Sequence, residues 1–477
     1  MKQVRKTKIV CTLGPAAQTP EIIRKLIVTG MNCARLNFSH GDHAEHLGRA
    51  NIVKELRDEL NLPVALMLDT KGPEIRTMTL EEGKVELTTG ETFTLYSDGR
   101  VGSVEGVSVT YPLFRELSVG NRVLIDDGLI ALEVEEICGT ELHCRILNGG
   151  ILGSKKSVNL PGVRIELPAL TEQDERDIAF AAKEDFDFIA ASFVRKASDV
   201  KAIRRVLREN GGADIRIIAK IENQEGVDRA EEIIAAADGI MVARGDLGVE
   251  IPAEAVPMVQ KMLIKKCVEM GKPVITATQM LDSMTRNPRP TRAEVNDVAN
   301  AVFDGTSGVM LSGETANGLY PVEAVSTMVS IVKRAETADE YTYAVPYAEQ
   351  QEPQKGQVGV SDAITHAACT TAQLLNADAI ITVTTTGATP RLISRFRPRC
   401  PIVAVTPLEK TKHQLAISWG ISPCVGEIKE SADVLFDIGV KRAKEIGMVE
   451  DGDMVVITAG MPTGVSGMTS IIKAQEV

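Results

Sequence analysis

The chain runs to 477 residues, with 53 lysines and arginines against 65 aspartates and glutamates for a net charge of -12. That length holds about three domains, and an acidic balance argues against nucleic acid or an anionic membrane as the main partner, since both select basic surfaces. The eight cysteines form no C-x-x-C pair and no zinc-type spacing with histidine, so Cys11, Cys33 and Cys267 read as small core residues in a reducing compartment.

The basic start, Met1 to Lys8, precedes an apolar run too short for a signal peptide. No run approaches the ~20 apolar residues that span a bilayer. A soluble, cytoplasmic protein with no membrane contact is expected.

Short β-type runs recur along the chain with helical-period segments between them: Thr7 to Leu13, Asn32 to Leu36, Val64 to Leu68, Phe186 to Ala191, Ile215 to Ile221, Gly239 to Ala243, Pro273 to Ala277 and Gly308 to Leu311. Each gives way at its C-terminal end to polar, mostly glycine-bearing sequence, as at Asn37-Phe38-Ser39-His40-Gly41, Asp69-Thr70-Lys71-Gly72, Ser192 and Arg244-Gly245-Asp246. Parallel strands with chemistry collected at one end predict a (β/α)8 barrel.

The third and fourth runs are too far apart for a βα loop. From about Gly72 to Leu167 the pattern alternates as strands with turns, at Lys84 to Leu87, Thr92 to Leu95, Arg122 to Gly128 and Glu141 to Cys144, which predicts an all-β insert placed as a lid. A polar stretch from Ala348 to Gly356 reads as a linker. Strand-like runs at Ala379 to Val383, Ile402 to Val405 and Met454 to Thr458 then predict an open α/β sheet, the last run ending at Gly460-Met461-Pro462.

Two runs end abruptly in charge. Alternation puts Lys220 and Glu222 on one face of a strand end, with Ile221 on the other. If Gly239 to Ala243 is the neighbouring strand, Asp246 emerges beside Glu222, and carboxylates roughly 5 Å apart suit a shared divalent cation. A structural ion pair at Lys220 and Glu222, and a tight turn at Arg244-Gly245-Asp246, are the bland alternatives.

Arg35, Asn37 and Ser39 likewise alternate, next to Asp69 and Thr70. These oxygens suit a hard cation, and Arg35 and Arg76 offer planar forks for phosphate, although helix caps and a rim ion pair explain the same residues. Gly153-Ser154-Lys155-Lys156-Ser157 lacks the first glycine of a P-loop and sits in hairpin-like surroundings, so that match fails. Thr384-Thr385-Thr386-Gly387-Ala388-Thr389, between a strand and a helical segment, is either an anion cradle or an ordinary turn.

The chain resembles the pyruvate kinases. The resemblance runs through Thr7 to Pro15, Arg35 to Gly41, Asp69 to Arg76, Lys220 to Asn223, Ala243 to Gly248, Thr276 to Leu281 and Pro288 to Glu294, in order along the chain. It implies a (β/α)8 TIM barrel over residues 1–71 and 168–345, an inserted small β-barrel lid over 72–167, and a C-terminal α/β regulatory domain over 346–477. It also implies phosphoryl transfer from phosphoenolpyruvate to ADP, then protonation of the enolate to pyruvate.

By the same resemblance Glu222 and Asp246 are ligands of Mg2+, and Asn37, Ser39, Asp69 and Thr70 form the K+ site. Glu74 matches the K+-dependent members, where K+-independent ones tend to carry lysine. Lys220 is expected to stabilise the phosphoryl group in flight. Arg35 and Arg76 would grip phosphate, Arg76, Lys156 and His40 the nucleotide, and Gly245, Asp246 and Thr278 the substrate carboxylate, with Thr278 near the enolate. Asn317 departs from the lysine frequent in relatives, which bears on a secondary nucleotide contact. The resemblance further implies a homotetramer, with a phosphorylated effector held by Thr384, Thr385, Thr386, Gly387 and Thr389.

Two other classes compete: a barrel aldolase forming a Schiff base at Lys220, and a non-catalytic metabolite sensor. The first needs a lysine of depressed pKa, against which Glu222 works.

Overall fold

The eight apolar runs fold as short parallel strands, Lys8–Thr12, Cys33–Asn37, Ala65–Asp69, Phe188–Ala191, Arg216–Ile221, Gly239–Ala243, Val274–Ala277 and Gly308–Leu311. They close into a barrel in chain order, the first strand pairing with both the second and the eighth. The structure is a computed structural model and describes residues 4–338, 359–427, 431–460 and 469–477. The linker expected at Ala348 to Gly356, and Met461 and Pro462, lie outside the described residues.

Alternation within each strand builds two cores. Val10, Cys33, Met67, Ala190, Ile218 and Met241 pack inside the barrel, whereas Ile9, Ala34, Leu66, Ile189, Ile217 and Ile240 pack outward in the larger core that also holds the surrounding helices' apolar faces. The interior cluster includes Ala416 and Ile417 from the C-terminal region, which plug the N-terminal end of the barrel. Arg35, Asp69, Lys220 and Glu222 stand on the interior side by the same period, at the opposite end.

The insert is a seven-stranded sheet with a separate two-stranded pair, around its own core of Phe93, Leu95, Val123, Leu132 and Cys144. Its two edges, Ile75–Arg76 and Gly106–Ser108, approach through the bridge Thr77–Val109 and the bond from Met78 N to Ser108 O (2.7 Å), so the sheet curls into a half-closed barrel. The expected lid strands are present, together with others that sequence reading passed over, such as Ile130–Cys138 and Ser157–Asn159.

Among the described residues the C-terminal sheet has five strands, of which the sequence pattern predicts three. Ile421–Val425 escapes that pattern because Pro423 interrupts it, a residue tolerated here because the strand lies at the sheet edge. Thr469–Glu476 is the polar, antiparallel strand at the other edge. No helix among the described residues is long and apolar enough to cross a membrane.

Candidate active site

Four of the expected residues meet at the C-terminal end of the barrel. Lys220, on the last turn of the fifth strand's interior face, brings Nζ within 3.2 Å of Asp69 Oδ1 and 2.9 Å of Glu222 Oε1. Arg35 Nε donates to Asp69 Oδ2 at 2.6 Å, and its Nη1 donates to Thr12 Oγ at 2.8 Å. All four side chains are almost closed to solvent, Glu222 and Asp69 each at 1% exposure.

Burial alone pushes a carboxyl up and a lysine down, and the neighbours decide which wins. Asp69 lies below its ordinary value because Arg35 and Lys220 outweigh its burial. Lys220 is raised despite its burial by the Asp69 and Glu222 carboxylates, so it stays an ammonium. Glu222 is pushed up to about 7, chiefly by burial and further by Asp246, against the pull of Lys220. Three carboxylates thus face two cations here, and Glu222 Oε1 has no well-directed hydrogen bond although Lys220 lies beside it. The unbalanced charge, and a buried Glu222 oxygen held by an ion pair with no well-directed hydrogen bond, fit a divalent cation at Glu222 and Asp246. Among the described residues no three acidic, histidine or cysteine groups gather as a full metal cage.

Asp246 sits in the first turn of the short helix Arg244–Glu250. The helix starts where Gly245 N donates to Thr278 Oγ (2.7 Å), while Thr278, in the left-handed region at φ +70, donates to Ala277 O (2.6 Å). The Gly245 amide and the Thr278 hydroxyl thus bond each other, and a ligand carboxylate there would exchange with that bond. Asn37 ends the second strand opposite Asp69 and accepts from Ser39 N at 3.2 Å, while Thr70 N donates to Ala190 O at 3.0 Å. Both oxygens of Asp69 are already engaged, by Arg35, Lys220 and Ser192, so a K+ ion there would share its lone pairs with them.

On the lid, Arg76 pairs with Glu74 (2.5 Å) and donates to Lys155 O at 2.9 Å. Glu74 thus holds the Arg76 guanidinium from one side. Lys156 is turned to Asp126 at 3.0 Å instead of a free approach to phosphate, and it follows a turn in which Lys155 has φ +61, the hairpin setting expected. His40 is exposed, and its carbonyl takes the His46 ring nitrogen at 2.7 Å. A cleft of about 230 Å³ between lid and barrel is lined by Arg76, Asn159, Phe193, Asn223 and Asp246, but not by Lys220 or Glu222.

The threonine loop lies in the C-terminal region. Gly387, at φ +75, donates to Thr384 Oγ at 3.1 Å, and Thr389 Oγ is 2.6 Å from Thr469 Oγ, so two of the expected anion-binding hydroxyls have protein partners. Thr385 O accepts from Thr411 Oγ (3.0 Å). Sequence reading missed Arg391, whose Nη2 donates to Thr386 O at 2.8 Å and whose pKa burial pulls down to about 10. It also missed what surrounds Lys220: Ser192 Oγ accepts from Nζ at 2.8 Å, and Phe193 N donates to Glu222 Oε2 at 2.5 Å.

Comparison with known proteins agrees with this architecture. The family model for the pyruvate kinase barrel domain matches residues 4–325, and that for the pyruvate kinase alpha/beta domain matches residues 362–474. A pyruvate kinase of Clostridium acetobutylicum is 53% identical over 99% of this chain and 100% of its own length. One from Geobacillus stearothermophilus is 51% identical over 99% of this chain and 80% of its own length. The crystal structure of a pyruvate kinase from Cryptosporidium parvum superposes with a TM-score of 0.91 at 41% identity, covering 99% of this chain and 96% of that one. With full-length relatives, both family domains and a site at the catalytic end of the barrel, the chain belongs to the pyruvate kinase family.

Proposed function

We infer that the chain transfers the phosphoryl group of phosphoenolpyruvate to ADP, giving pyruvate and ATP, the glycolytic reaction of its family. The observation that carries the residue assignment is the buried ammonium of Lys220 held between Asp69 and Glu222. Phosphoryl transfer asks for little covalent help and much fixed charge. Lys220 is a cation that neither burial nor neutral pH removes, aimed by two carboxylates, and it lies where charge on the phosphoryl oxygens develops.

Glu222 and Asp246 would hold Mg2+, which when bound supplies charge neutralisation and a template for the phosphate oxygens. Asn37, Ser39, Asp69 and Thr70 would hold K+. Arg35 keeps its Nη2 end for phosphate, since Nε and Nη1 are spent on Asp69 and Thr12. Arg76, Lys156 and His40 bind nucleotide after Lys156 leaves Asp126, and Thr278 with the Gly245 and Asp246 amides takes the carboxylate. The enolate left by transfer is then protonated to pyruvate.

The assignment divides the chain into a catalytic barrel of 1–71 and 168–345, a lid of 72–167 and a regulatory domain of 346–477. A cytoplasmic homotetramer with a phosphorylated effector near Thr384 to Thr389 completes the reading. Against the aldolase, the raised pKa of Lys220 denies a Schiff base its neutral amine.

Purified protein given phosphoenolpyruvate, ADP, Mg2+ and K+ forms pyruvate and ATP, followed by coupled NADH oxidation. No pyruvate above a heat-inactivated control overturns the activity. Full turnover without K+ overturns the monovalent site alone.

A further inference from the structure

Lys220 Nζ donates hydrogen bonds to Asp69 Oδ1 at 3.2 Å and Ser192 Oγ at 2.8 Å, and pairs with Glu222 Oε1 at 2.9 Å without a well-directed hydrogen bond. Ser192 Oγ is the nearest of the three and the only neutral one. Ser192 follows the fourth strand, and its hydroxyl is set from behind. It donates to Thr70 O at 2.6 Å, and its backbone N donates to Thr70 Oγ at 3.2 Å. A second, longer contact runs to Asp69 Oδ1 at 3.3 Å, so the hydroxyl proton is spent on Thr70 O and Asp69 and the oxygen's lone pairs are left for Lys220.

The backbone around Ser192 is built to hold this arrangement. A Cβ on Gly72, itself at φ +75, would lie 2.8 Å from Ser192 Cβ, so only glycine lets the first lid residues pass this close. Phe193, next in the chain, is held at φ +54, an uncommon conformation for a bulky residue, and from it the amide reaches Glu222 Oε2. One turn therefore supplies an acceptor to Lys220 and a donor to its partner.

We propose that Ser192 is a positioning residue for phosphoryl transfer, fixing the direction of the Lys220 ammonium through its hydroxyl. The proposal rests on the reading that Lys220 meets the phosphoryl group. Asp69 and Glu222 hold the charge of Lys220 but are shared, Asp69 with Arg35 and Glu222 with Phe193 N. Ser192 gives the ammonium an acceptor fixed by a hydrogen bond of its own, and a preorganised cation has nothing to rearrange when charge moves.

The test compares Ser192→Ala and Ser192→Cys with wild type. Loss of a hydrogen bond to a charged group predicts a fall in kcat of roughly tenfold to a hundredfold, with KM for phosphoenolpyruvate changed by less than about threefold and a fall of a few degrees in the thermal midpoint. Cysteine keeps the shape but is a weak acceptor, so Ser192→Cys falls with Ser192→Ala, and it carries the test if the alanine variant does not fold. In a Lys220→Arg background Ser192→Ala costs much less, because the group it positions is gone. Normal kcat in Ser192→Ala, full activity in Ser192→Cys, or an undiminished loss in the Lys220→Arg background overturns the proposal. If Lys220 replacement itself leaves turnover intact, the underlying reading fails and takes this proposal with it; if Lys220 is essential and Ser192→Ala is normal, only the role of Ser192 fails.

Discussion

The strand Arg216–Ile221 has charge at both ends, half-buried at its start and buried at its finish, and the two ends are put together differently. At its start Asp238 receives Arg204 and Arg216 side chains at 2.8 and 2.9 Å and the Ile217 amide at 2.9 Å. Two cations and an amide serve one carboxylate, whose pKa is held down against its burial. At the other end Lys220 is shared between Asp69 and Glu222, with Asp246 adding more negative charge, and Glu222 is left far above its ordinary value. The first end, beside the C-terminal plug of Ala416 and Ile417, is complete without a ligand. The second carries more carboxylate than cation, and it lies at the C-terminal end of the strands, the face on which (β/α)8 barrels build their sites.

Three replacements separate the ends, the largest effect first. Lys220→Met lowers kcat by roughly a thousandfold while KM for phosphoenolpyruvate changes far less, because the charge it serves grows in the transition state. Steady-state kinetics measure this, and a variant with only a raised KM contradicts the role. Asp238→Ala leaves Arg204 and Arg216 without their carboxylate and costs about 3 kcal/mol of stability, seen as an earlier unfolding transition in urea, yet turnover per folded molecule stays near wild type. An equal loss of kcat there removes the contrast between the ends. Glu222→Gln, close in shape, raises the Mg2+ concentration for half-maximal rate by at least roughly tenfold; an unchanged Mg2+ requirement places the metal elsewhere.

The barrel was legible because each strand is an apolar run that stops at polar residues, and the period of two then put Arg35, Asp69, Lys220 and Glu222 on the inside. What lay beyond reach depends on contacts that no run of sequence contains. Ser192 faces Lys220 only because two strands lie side by side, and Phe193 reaches Glu222 only from a left-handed backbone. The hold of Asp126 on Lys156 and of Thr278 on the Gly245 amide are pairings across loops. Edge strands were harder than central ones: Pro423 and the polar Thr469–Glu476 lack the apolar run that burial on both faces imposes.

The complete end still contains one costly residue, and it gives the smallest and most specific prediction. Lys8 Nζ donates to Ile421 O at 2.7 Å, joining the barrel to the C-terminal sheet, and burial with help from Arg5 lowers its pKa to about 7, Glu336 opposing. A lysine lowered in the folded state binds fewer protons there than in the unfolded chain between about 7 and its ordinary value of 10.5. Unfolding then takes up a proton, so stability rises with pH across that window and is lost as pH falls toward 7, by at most ~1.4 kcal/mol per pH unit. Lys8→Met removes this dependence. Between pH 7 and 9 the difference in unfolding midpoint between wild type and Lys8→Met moves in favour of wild type as pH rises. Parallel profiles mean that Lys8 stays charged at this interface, and that the complete end tolerates an unpaired cation as readily as the catalytic end tolerates surplus carboxylate.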